Sequence, residues 1–473
     1  MATELKVLYA SAEIFPFAGT GGLGDVGRYL PQALKKLGVD ICLAMPLYRT
    51  VRERFRLEEF RKLPVRLGRR CIRTRVFLGD HQGIRVFFID QPQYFDRPHI
   101  YGPPGEGYPD NALRFAAFCR ALVALCETLS WPFRILHCHD WHTALLPLYL
   151  PERRPPVLLT IHNLGYQGDF PLDVLGELGV REEVVLHKGK VNFLKAGILS
   201  SDLITTVSPT YAREIQTPEY GFGLDPYLRE RSDRLLGILN GVDYSVWDPR
   251  KDPFIPSRYG PEDLYGKALC KRELLRHLGL PSDLMPKPLF GMISRLVSQK
   301  GIDLLLPLIP LLSQGGYPVV ILGVGEEGYQ EALKELSSKY ELFKPIFAFD
   351  EALAHRITAA SDLYLMPSLY EPCGLNQMYS LRYGTIPVVR DTGGLSDTVK
   401  QVDLRTGKGT GFKFRLKRPC YLLRAIRRGI KAYENRGLWR KLQRQAMAED
   451  FSWDRSARQY LGVYRKLLQT TPR

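Results

Sequence analysis

The chain has 473 residues, of which 45% are hydrophobic and 25% are charged. This length and balance predict two or three globular domains, each able to bury its own core. The eight cysteines include no Cys-x-x-Cys pair, which argues against a structural zinc site or a disulfide framework and favours a reducing compartment. Neither a signal-peptide pattern nor an apolar run of ~18–20 residues is found, so we expect a soluble cytoplasmic protein without a membrane partner.

The net charge of +16 raises the question of a nucleic-acid partner. Arginine and lysine are concentrated in residues 52–75 and 413–444. Both stretches also carry apolar residues at strand or helix spacing, and neither contains a known nucleic-acid motif. We therefore predict solvated basic faces and no nucleic-acid partner.

Short apolar segments, each followed by a glycine or polar loop and an amphipathic helix, recur along the chain and predict an α/β fold with parallel sheets. In the first half, strands are predicted at residues 6–12, 134–138, 157–161 and 203–207. A helix is predicted over residues 26–37, and Ser208 and Pro209 mark the start of another.

The second half repeats this pattern, with strands predicted at residues 289–293, 318–322, 363–366 and 386–389. Between the halves, residues 240–261 are rich in proline, aspartate and aromatic residues without periodicity. We place a hinge near residues 243–255 and predict domains at 1–245 and 246–473.

Two glycine loops echo each other across the halves. Residues 19–25 read Gly-Thr-Gly-Gly-Leu-Gly-Asp, and residues 392–397 read Thr-Gly-Gly-Leu-Ser-Asp. Both follow a predicted strand and precede a helix, where glycines let a ligand approach the backbone and helix N–H groups can bind an anion. Each could also be a simple tight turn. In two doubly wound domains both loops would open into a central crevice.

Charged side chains follow two predicted strands of the second half. Arg295 and Lys300 could neutralise a diphosphate, although each could also be an ordinary surface cation. Glu371 could bind sugar hydroxyls and stabilise positive charge at an anomeric carbon, or it could cap a helix. Because the chain has no Asp-x-Asp pair, we predict that no metal takes part. We also expect no cofactor.

Histidines cluster where two strands of the first half end. His137, His139 and His142 surround Asp140, and His162 follows the next strand. Zinc binding is an alternative, but side chains on an extended segment alternate in direction and would not all converge. We predict that His139, Asp140 and His142 line a polar crevice.

In their order along nearly the whole chain, these motifs resemble the bacterial glycogen synthases and plant starch synthases. The segments that carry the resemblance are residues 139–142, 160–168, 239–243, 294–301, 371–377 and 392–395. The resemblance implies the GT-B fold, with two Rossmann-like domains facing a central crevice and residues 453–473 crossing back to the first domain. It also implies retaining transfer of glucose from ADP-glucose or UDP-glucose to the non-reducing end of an α-1,4-glucan.

Roles for individual residues follow from the same resemblance. Arg295 and Lys300 would hold the diphosphate, Glu371 and His162 would contact the transferred glucose, and Asp140 would lie beside the reacting centre. The donor-binding set would be Gly21, Gly22, Asp25, Asn240, Phe349, Thr392, Gly393, Gly394 and Leu395. The acceptor-side set would be Glu13, Tyr108, Asn111, His139 and His142, with Arg114 in the same segment.

Two positions depart from patterns in related enzymes. Gly19 stands where the family usually has a donor-binding lysine, which leaves the choice of nucleotide open. Tyr379 stands where related GT-B enzymes have a second glutamate, which synthases of this group commonly lack. The alternative functions are a GT-B transferase with another acceptor and a non-catalytic relative that binds glucan or nucleotide.

Overall fold

The computed structural model describes residues 5–103 and 105–470. The chain forms two compact units. Unit 1 comprises the residues up to Gly241 together with those from Trp453 onward, and unit 2 is Val242–Ser452. No helix within the two described ranges is long and apolar enough to cross a membrane.

Unit 1 is built on a nine-stranded sheet and a small three-stranded sheet. Its strands are β1 (Lys6–Ala10), β2 (Asp40–Pro46), β3 (Glu58–Leu67), β4 (Arg70–His81), β5 (Ile84–Asp90), β6 (Ile135–His139), β7 (Val157–Ile161), β8 (Asp169–Phe170), β9 (Leu186–His187), β10 (Lys190–Asn192), β11 (Leu203–Thr206) and β12 (Leu235–Gly237). The large sheet has the order β12-β11-β7-β6-β1-β2-β5-β4-β3. It is parallel from β12 to β5, and the last two strands, β4 and β3, add in antiparallel orientation at one edge. The small sheet, β8-β10-β9, is antiparallel.

The helices of this part of the chain are α1 (Gly22–Lys36), α2 (Arg49–Arg54), α3 (Pro92–Phe95), α4 (Asn111–Thr128), α5 (Asp140–Thr143), α6 (Leu146–Tyr149), α7 (Leu175–Leu178), α8 (Glu182–Val185), α9 (Phe193–Ser200), α10 (Pro209–Glu214) and α11 (Asp225–Glu230). The predicted start of the first helix at residue 26 is wrong, because the buried stripe of α1 already begins at Leu23. The helix start at Ser208 is confirmed, since the Ser208 hydroxyl accepts the backbone N–H of Tyr211.

Unit 2 has a six-stranded, fully parallel sheet. Its strands are β13 (Phe290–Ile293), β14 (Val319–Leu322), β15 (Phe343–Ile346), β16 (Leu363–Met366), β17 (Ile386–Arg390) and β18 (Phe412–Phe414). Its helices are α12 (Tyr265–His277), α13 (Ile302–Leu305), α14 (Ile309–Gln314), α15 (Glu327–Lys339), α16 (Glu351–Ala360), α17 (Asn376–Arg382), α18 (Gly393–Thr398), α19 (Pro419–Glu434) and α20 (Arg436–Met447). All four predicted strands are present, with ends within one residue of the prediction.

The last helix, α21 (Trp453–Thr470), belongs to unit 1. It packs on α1, where the ring of Trp453 stacks on that of Tyr29. The hydroxyl of Tyr464 lies 2.8 Å from Nδ1 of His137, which is buried at the centre of the large sheet. The C-terminal segment therefore completes the core of unit 1.

The strand order of each unit reverses direction at one point. In unit 2 the order β15-β14-β13-β16-β17-β18 reverses between β13 and β16. In unit 1 the corresponding point lies between β1 and β6. Loops at the carboxyl ends of the strands beside such a point diverge and leave a crevice for ligands. The predicted site residues Lys300, Glu371, Glu13 and Asp140 follow these four strands.

Candidate active site

Two loops of unit 2 are joined at its reversal point. Residues 294–301 follow β13 and residues 367–375 follow β16. The N–H of Leu369 donates to the carbonyl of Gln299 over 2.8 Å. Gly301 has φ +69°, and a Cβ there would lie 2.1 Å from the carbonyl oxygen of Pro367, so only glycine allows the loops to come this close.

The carboxylate of Glu371 is held between these loops. Nζ of Lys300 lies 2.6 Å from Oε2 of Glu371, and the Ser368 hydroxyl donates to the same oxygen over 2.9 Å. Both side chains of the ion pair are largely buried, at 17% and 7% exposure. Oε1 accepts no hydrogen bond from residues 5–103 and 105–470, so it can accept one from a ligand hydroxyl. The helix-capping alternative for Glu371 is wrong, because α17 begins only at Asn376.

The second glycine loop is packed against the backbone of the Glu371 loop. The N–H of Gly394 donates to the carbonyl of Glu371 over 3.0 Å. A Cβ on Gly393 would lie 1.9 Å from that carbonyl oxygen, and one on Gly394 would lie 2.0 Å from the carbonyl oxygen of Cys373. Because the Gly394 N–H is already bonded within the protein, this group is not available to a ligand. The place of Gly394 in the donor-binding set stays a prediction. The side chains of Thr392 and Leu395 are fully buried.

Two predicted donor-binding side chains of unit 2 are open to solvent. Arg295 is exposed, and its guanidinium makes no ion pair with any described residue. Phe349 is 97% exposed and follows β15, at the same edge of the sheet as Lys300. An exposed cation and an exposed aromatic ring are suited to a diphosphate and a nucleobase.

Glu13 anchors the first glycine loop of unit 1. Its buried carboxylate accepts the backbone N–H of Thr20 over 2.6 Å and the Thr20 hydroxyl over 2.9 Å. The hydroxyl of Tyr101 donates to the same carboxylate over 2.5 Å. Glu13 therefore fixes the entry to α1, a role that its position in the sequence does not reveal.

Asp140 is one of six non-glycine residues in the described part of unit 1 with a positive φ angle. Its φ of +54° lies in the left-handed region that few side chains adopt, and strain of this kind concentrates at functional sites. Its Oδ1 accepts the backbone N–H of His162 over 2.7 Å. Burial, with a smaller contribution from the nearby Glu13, raises the pKa of Asp140 to about 7.

The histidines lie largely inside unit 1. Nδ1 of His139 is 3.0 Å from Nε2 of His162, and the His139 ring packs at a tilt against the His137 ring. Desolvation lowers the pKa of His162 to about 3 and also lowers the pKa of each of the other three well below the ordinary value. The prediction that His139 lines a crevice is wrong, because its side chain is fully buried. His142 is also buried and stacks on Tyr101.

The first glycine loop is open, unlike the second. Gly21 and Gly22 are exposed, and a Cβ at either position would meet no atom within 4 Å. Asp25 lies in the first turn of α1, where the helix dipole favours a carboxylate. Asn240 is buried, and its Oδ1 has no hydrogen-bond partner among the described residues.

The predicted acceptor segment is only partly accessible to a ligand. Tyr108 is half-buried, with the guanidinium groups of Arg97 and Arg114 on its ring at 4.8 and 4.9 Å. Asn111 donates to the carbonyl of Tyr101 and accepts from Arg114. Arg114 is fully buried and so supports this segment from inside.

Three residues that position the site were not anticipated. Ser368, Tyr101 and Thr20 bind the two key carboxylates through contacts at very different sequence separations. Ser368 is three residues from Glu371, whereas Tyr101 is 88 residues from Glu13. The short separations of Ser368 and of Thr20, which is seven residues from Glu13, are signals that sequence reading could use, whereas the pairing of Tyr101 is not.

Comparison with known proteins covers both units. Residues 6–230 match the family described as the starch synthase catalytic domain, and residues 282–444 match glycosyl transferases group 1. The chain is 43% identical to a glycogen synthase from Koribacter versatilis, over 98% of this chain and 99% of that protein. It is 44% identical to a glycogen synthase from Myxococcus xanthus, over 98% and 100%.

Solved structures agree with these matches. The catalytic domain of starch synthase IV from Arabidopsis thaliana, bound to ADP and acarbose, superposes with a TM-score of 0.89 and 33% identity, covering 99% of this chain and 100% of that one. Sucrose-phosphate synthase from Thermosynechococcus elongatus, at a TM-score of 0.64 and 16% identity over 99% and 100% of the chains, shares the fold. The predicted GT-B fold is thereby confirmed, and the chain belongs to the glycogen and starch synthase family of glycosyltransferases.

Proposed function

We propose that this enzyme is a glycogen synthase that transfers glucose from ADP-glucose, with retention of configuration, to the non-reducing end of an α-1,4-glucan. Unit 2 binds the nucleotide sugar and unit 1 carries the acceptor side. The observation that carries the proposal is the buried Lys300–Glu371 pair at the reversal point of the unit 2 sheet.

The chemistry of unit 2 suits departure of a nucleoside diphosphate. When the bond between the anomeric carbon and the diphosphate breaks, the electron pair leaves with the diphosphate. Arg295 and Lys300 stabilise that developing negative charge, which preorganised cations do best in a site that excludes water. Glu371 keeps Lys300 in place, while Oε1 of Glu371 accepts a hydrogen bond from a glucose hydroxyl.

The nucleotide is recognised at the same edge of the sheet. The exposed ring of Phe349 provides a stacking surface for the base. In unit 1, the open backbone at Gly21 and Gly22 approaches the diphosphate and sugar, with Asp25 and Asn240 nearby in the donor-binding set.

The acceptor side rests on the carboxylates and histidines of unit 1. Asp140 lies beside the reacting centre, and His162, neutral because of its low pKa, contacts the transferred glucose. His139, His142, Tyr108 and Asn111 shape this region, in most cases by supporting the residues that touch the glucan.

The donor preference depends on Gly19, where the family usually has a lysine. A Cβ at this position would lie 2.8 Å from the ring of Phe15, which also packs against Gly24. The loop is therefore built around the aromatic ring of Phe15, and unit 1 contributes one cation fewer to the donor. We assign ADP-glucose as the donor because the similar starch synthase IV structure has ADP bound. UDP-glucose is the alternative that the experiment distinguishes.

The test is nucleotide release from each donor, with and without glycogen, by the wild type and by Glu371→Gln. We expect glycogen-dependent release, faster from ADP-glucose, that falls by about 100-fold or more in the variant because the Lys300 charge is no longer balanced and a sugar contact is lost. Glu331→Gln, an exposed position on α15, is the control and should retain wild-type rates.

Other outcomes have distinct meanings. Faster release from UDP-glucose would reverse the donor assignment. Release that does not depend on glycogen but responds to another sugar would indicate a different acceptor. No turnover of either donor, with Glu371→Gln indistinguishable from the wild type, would indicate a non-catalytic binding protein.

A further inference from the structure

A cavity of about 630 Å³ lies in unit 2, in a groove between α12 and α20. None of the predicted site residues lines it. Its walls carry five cationic side chains and three carboxylates: Lys267, Lys271, Arg436, Arg440, Arg444, Glu262, Asp263 and Asp362. A volume of this size is typical of a small-molecule site.

The three arginines form a row on one face of α20. They are spaced at i, i+4 and i+8, so successive side chains lie about 6 Å apart along the helix and the whole row spans about 12 Å. Like charges at this spacing destabilise a helix by a few tenths of a kcal/mol per pair. The first, Arg436, is also the first helical residue, where the helix dipole disfavours a cation.

The carboxylates of the cavity do not neutralise this row. Glu262 pairs with Arg250, which lies outside the cavity, and Asp362 pairs with Lys271 over 2.7 Å. The oxygen Oδ1 of Asp263 accepts the backbone N–H of Tyr265. In residues 5–103 and 105–470, none of the three arginines forms an ion pair with a carboxylate.

The arginines retain donors for a ligand. Arg436 and Arg444 each donate one hydrogen bond to a backbone carbonyl, of Pro286 and Pro261 respectively. A guanidinium has five N–H donors, so most of them are not used in these contacts.

The floor of the cavity adds a further positive charge, and its rim adds an exposed aromatic ring. Nζ of Lys267, buried in the floor, donates to the carbonyl of Ala359 and to the Thr385 hydroxyl, both of which are neutral. Burial lowers the pKa of Lys267 to about 8, so it adds positive charge at neutral pH. At the rim, the ring of Tyr265 is 65% exposed and offers an apolar face to the body of a ligand.

We propose that this groove is a binding site for a small organic bisphosphate, whose two phosphate groups are held by Arg436, Arg440 and Arg444 and whose carbon skeleton lies against Tyr265. Guanidinium groups bind phosphate oxygens through paired, charge-assisted hydrogen bonds. A row about 12 Å long matches two separated phosphates better than a single one. This site is distinct from the donor site and does not depend on the identity of the donor.

The test is calorimetric titration of the full chain with fructose 1,6-bisphosphate, with inorganic phosphate and glucose as comparison ligands. We expect saturable binding of the bisphosphate, weaker binding of phosphate and none of glucose. Arg440→Ala, an exposed helix position that should fold normally, should weaken bisphosphate binding by about tenfold or more. Lys441→Ala removes the same charge from the neighbouring position of the same helix, outside the cavity, and should change affinity by less than about twofold.

Lys300→Ala separates this site from the donor site, because it should leave bisphosphate binding unchanged. The proposal is overturned if no saturable binding occurs at millimolar ligand, if Lys300→Ala abolishes binding while Arg440→Ala does not, or if Lys441→Ala weakens it as much as Arg440→Ala. Equal affinity for inorganic phosphate would overturn the assignment of two phosphate groups, and binding of glucose alone would replace it with carbohydrate recognition.

Discussion

The two glycine loops share the sequence Thr-Gly-Gly-Leu, yet their glycines meet different requirements. In unit 2, Gly393 and Gly394 lie against the backbone of residues 371–373, and any side chain would collide with it. In unit 1, Gly21 and Gly22 face open space. Glycine thus makes room for the protein's own backbone in one loop, whereas in the other it leaves the backbone accessible from outside.

Each loop is tied to a buried glutamate, but by different groups. The unit 1 loop donates through Thr20 to the side chain of Glu13, which Tyr101 also binds. The unit 2 loop donates through Gly394 to the main chain of Glu371, which leaves the Glu371 side chain for Lys300. We infer that the unit 1 loop contacts the substrate directly, and that the unit 2 loop acts by positioning Glu371.

The largest effect on stability is expected for Gly394→Ala. The new Cβ would lie 2.0 Å from a backbone oxygen that cannot move without displacing the Glu371 loop. We expect a loss of about 3 kcal/mol or more in unfolding free energy, measured by urea denaturation. Gly328→Ala, in α15 with no atom within 4 Å, is the control and should be neutral or slightly stabilising. Equal stability of the two variants would contradict the packing argument.

Tyr101→Phe tests the anchor of the unit 1 loop. Removing the hydroxyl leaves one carboxylate oxygen of Glu13 with a single donor, Thr20. Because the lost hydrogen bond involves a charged group, we expect a destabilisation of about 1.5–3 kcal/mol in the same assay, with a higher KM for the donor. Tyr108→Phe is the matched control, and a similar loss in that variant would show that the effect is not specific to Glu13.

Acidification should destabilise unit 1 through its buried histidines. Below pH 6.5 the unfolded chain protonates His162, whereas the folded chain does not until about pH 3, so stability falls as the pH decreases. Asp140 acts in the opposite sense between about pH 7 and 4, since its folded carboxyl binds a proton more tightly. The other three buried histidines act in the same sense as His162, because burial lowers the pKa of each of them. His162→Gln should make the slope of stability against pH shallower by up to about 1.4 kcal/mol per pH unit, and an unchanged slope would contradict burial of a neutral imidazole.

Activity should respond to pH through Asp140. If its ionised form is required beside the reacting centre, kcat/KM rises with an apparent pKa near 7. Asp140→Asn should lower activity strongly and remove that limb of the profile. A limb that persists in the variant at the same pH would assign it to another group.

The smallest effect on stability is expected for Gly22→Ala. The added methyl group meets no neighbour, and alanine is the better helix former by up to about 1 kcal/mol at an interior position. Thermal denaturation should therefore show an unchanged or slightly raised Tm. A clear fall in Tm would mean that the loop is packed after all.

Much of this architecture follows from sequence patterns. Four of the six strands of unit 2 are predictable because each is a short apolar run that is almost entirely buried. The other two, β15 and β18, each carry a lysine and are less buried. The shared edge of the parallel sheet then places Lys300 and Glu371 together. The start of α1 could not be predicted in this way. Its glycines have low helix propensity and therefore indicate a loop, although Leu23 already belongs to the buried face of the helix.

Long-range hydrogen bonds could not be predicted. Nothing near Tyr101 in the sequence indicates that it binds Glu13, and the burial of His139 depends on packing against the rings of Tyr9 and His137. Likewise, the two glycine loops can be distinguished only by what lies around them. These properties depend on tertiary packing, which local sequence does not encode.

The most direct test is the rate of ADP release from ADP-glucose in the presence of glycogen, measured for the wild type, Gly22→Ala and Gly328→Ala. If Gly22 faces the substrate, Gly22→Ala should keep the wild-type Tm and lose about tenfold or more in kcat/KM, because a methyl group then separates the backbone from the donor. Gly328→Ala should match the wild type. A Gly22→Ala enzyme with wild-type kcat/KM would contradict the assignment of the unit 1 loop to substrate contact.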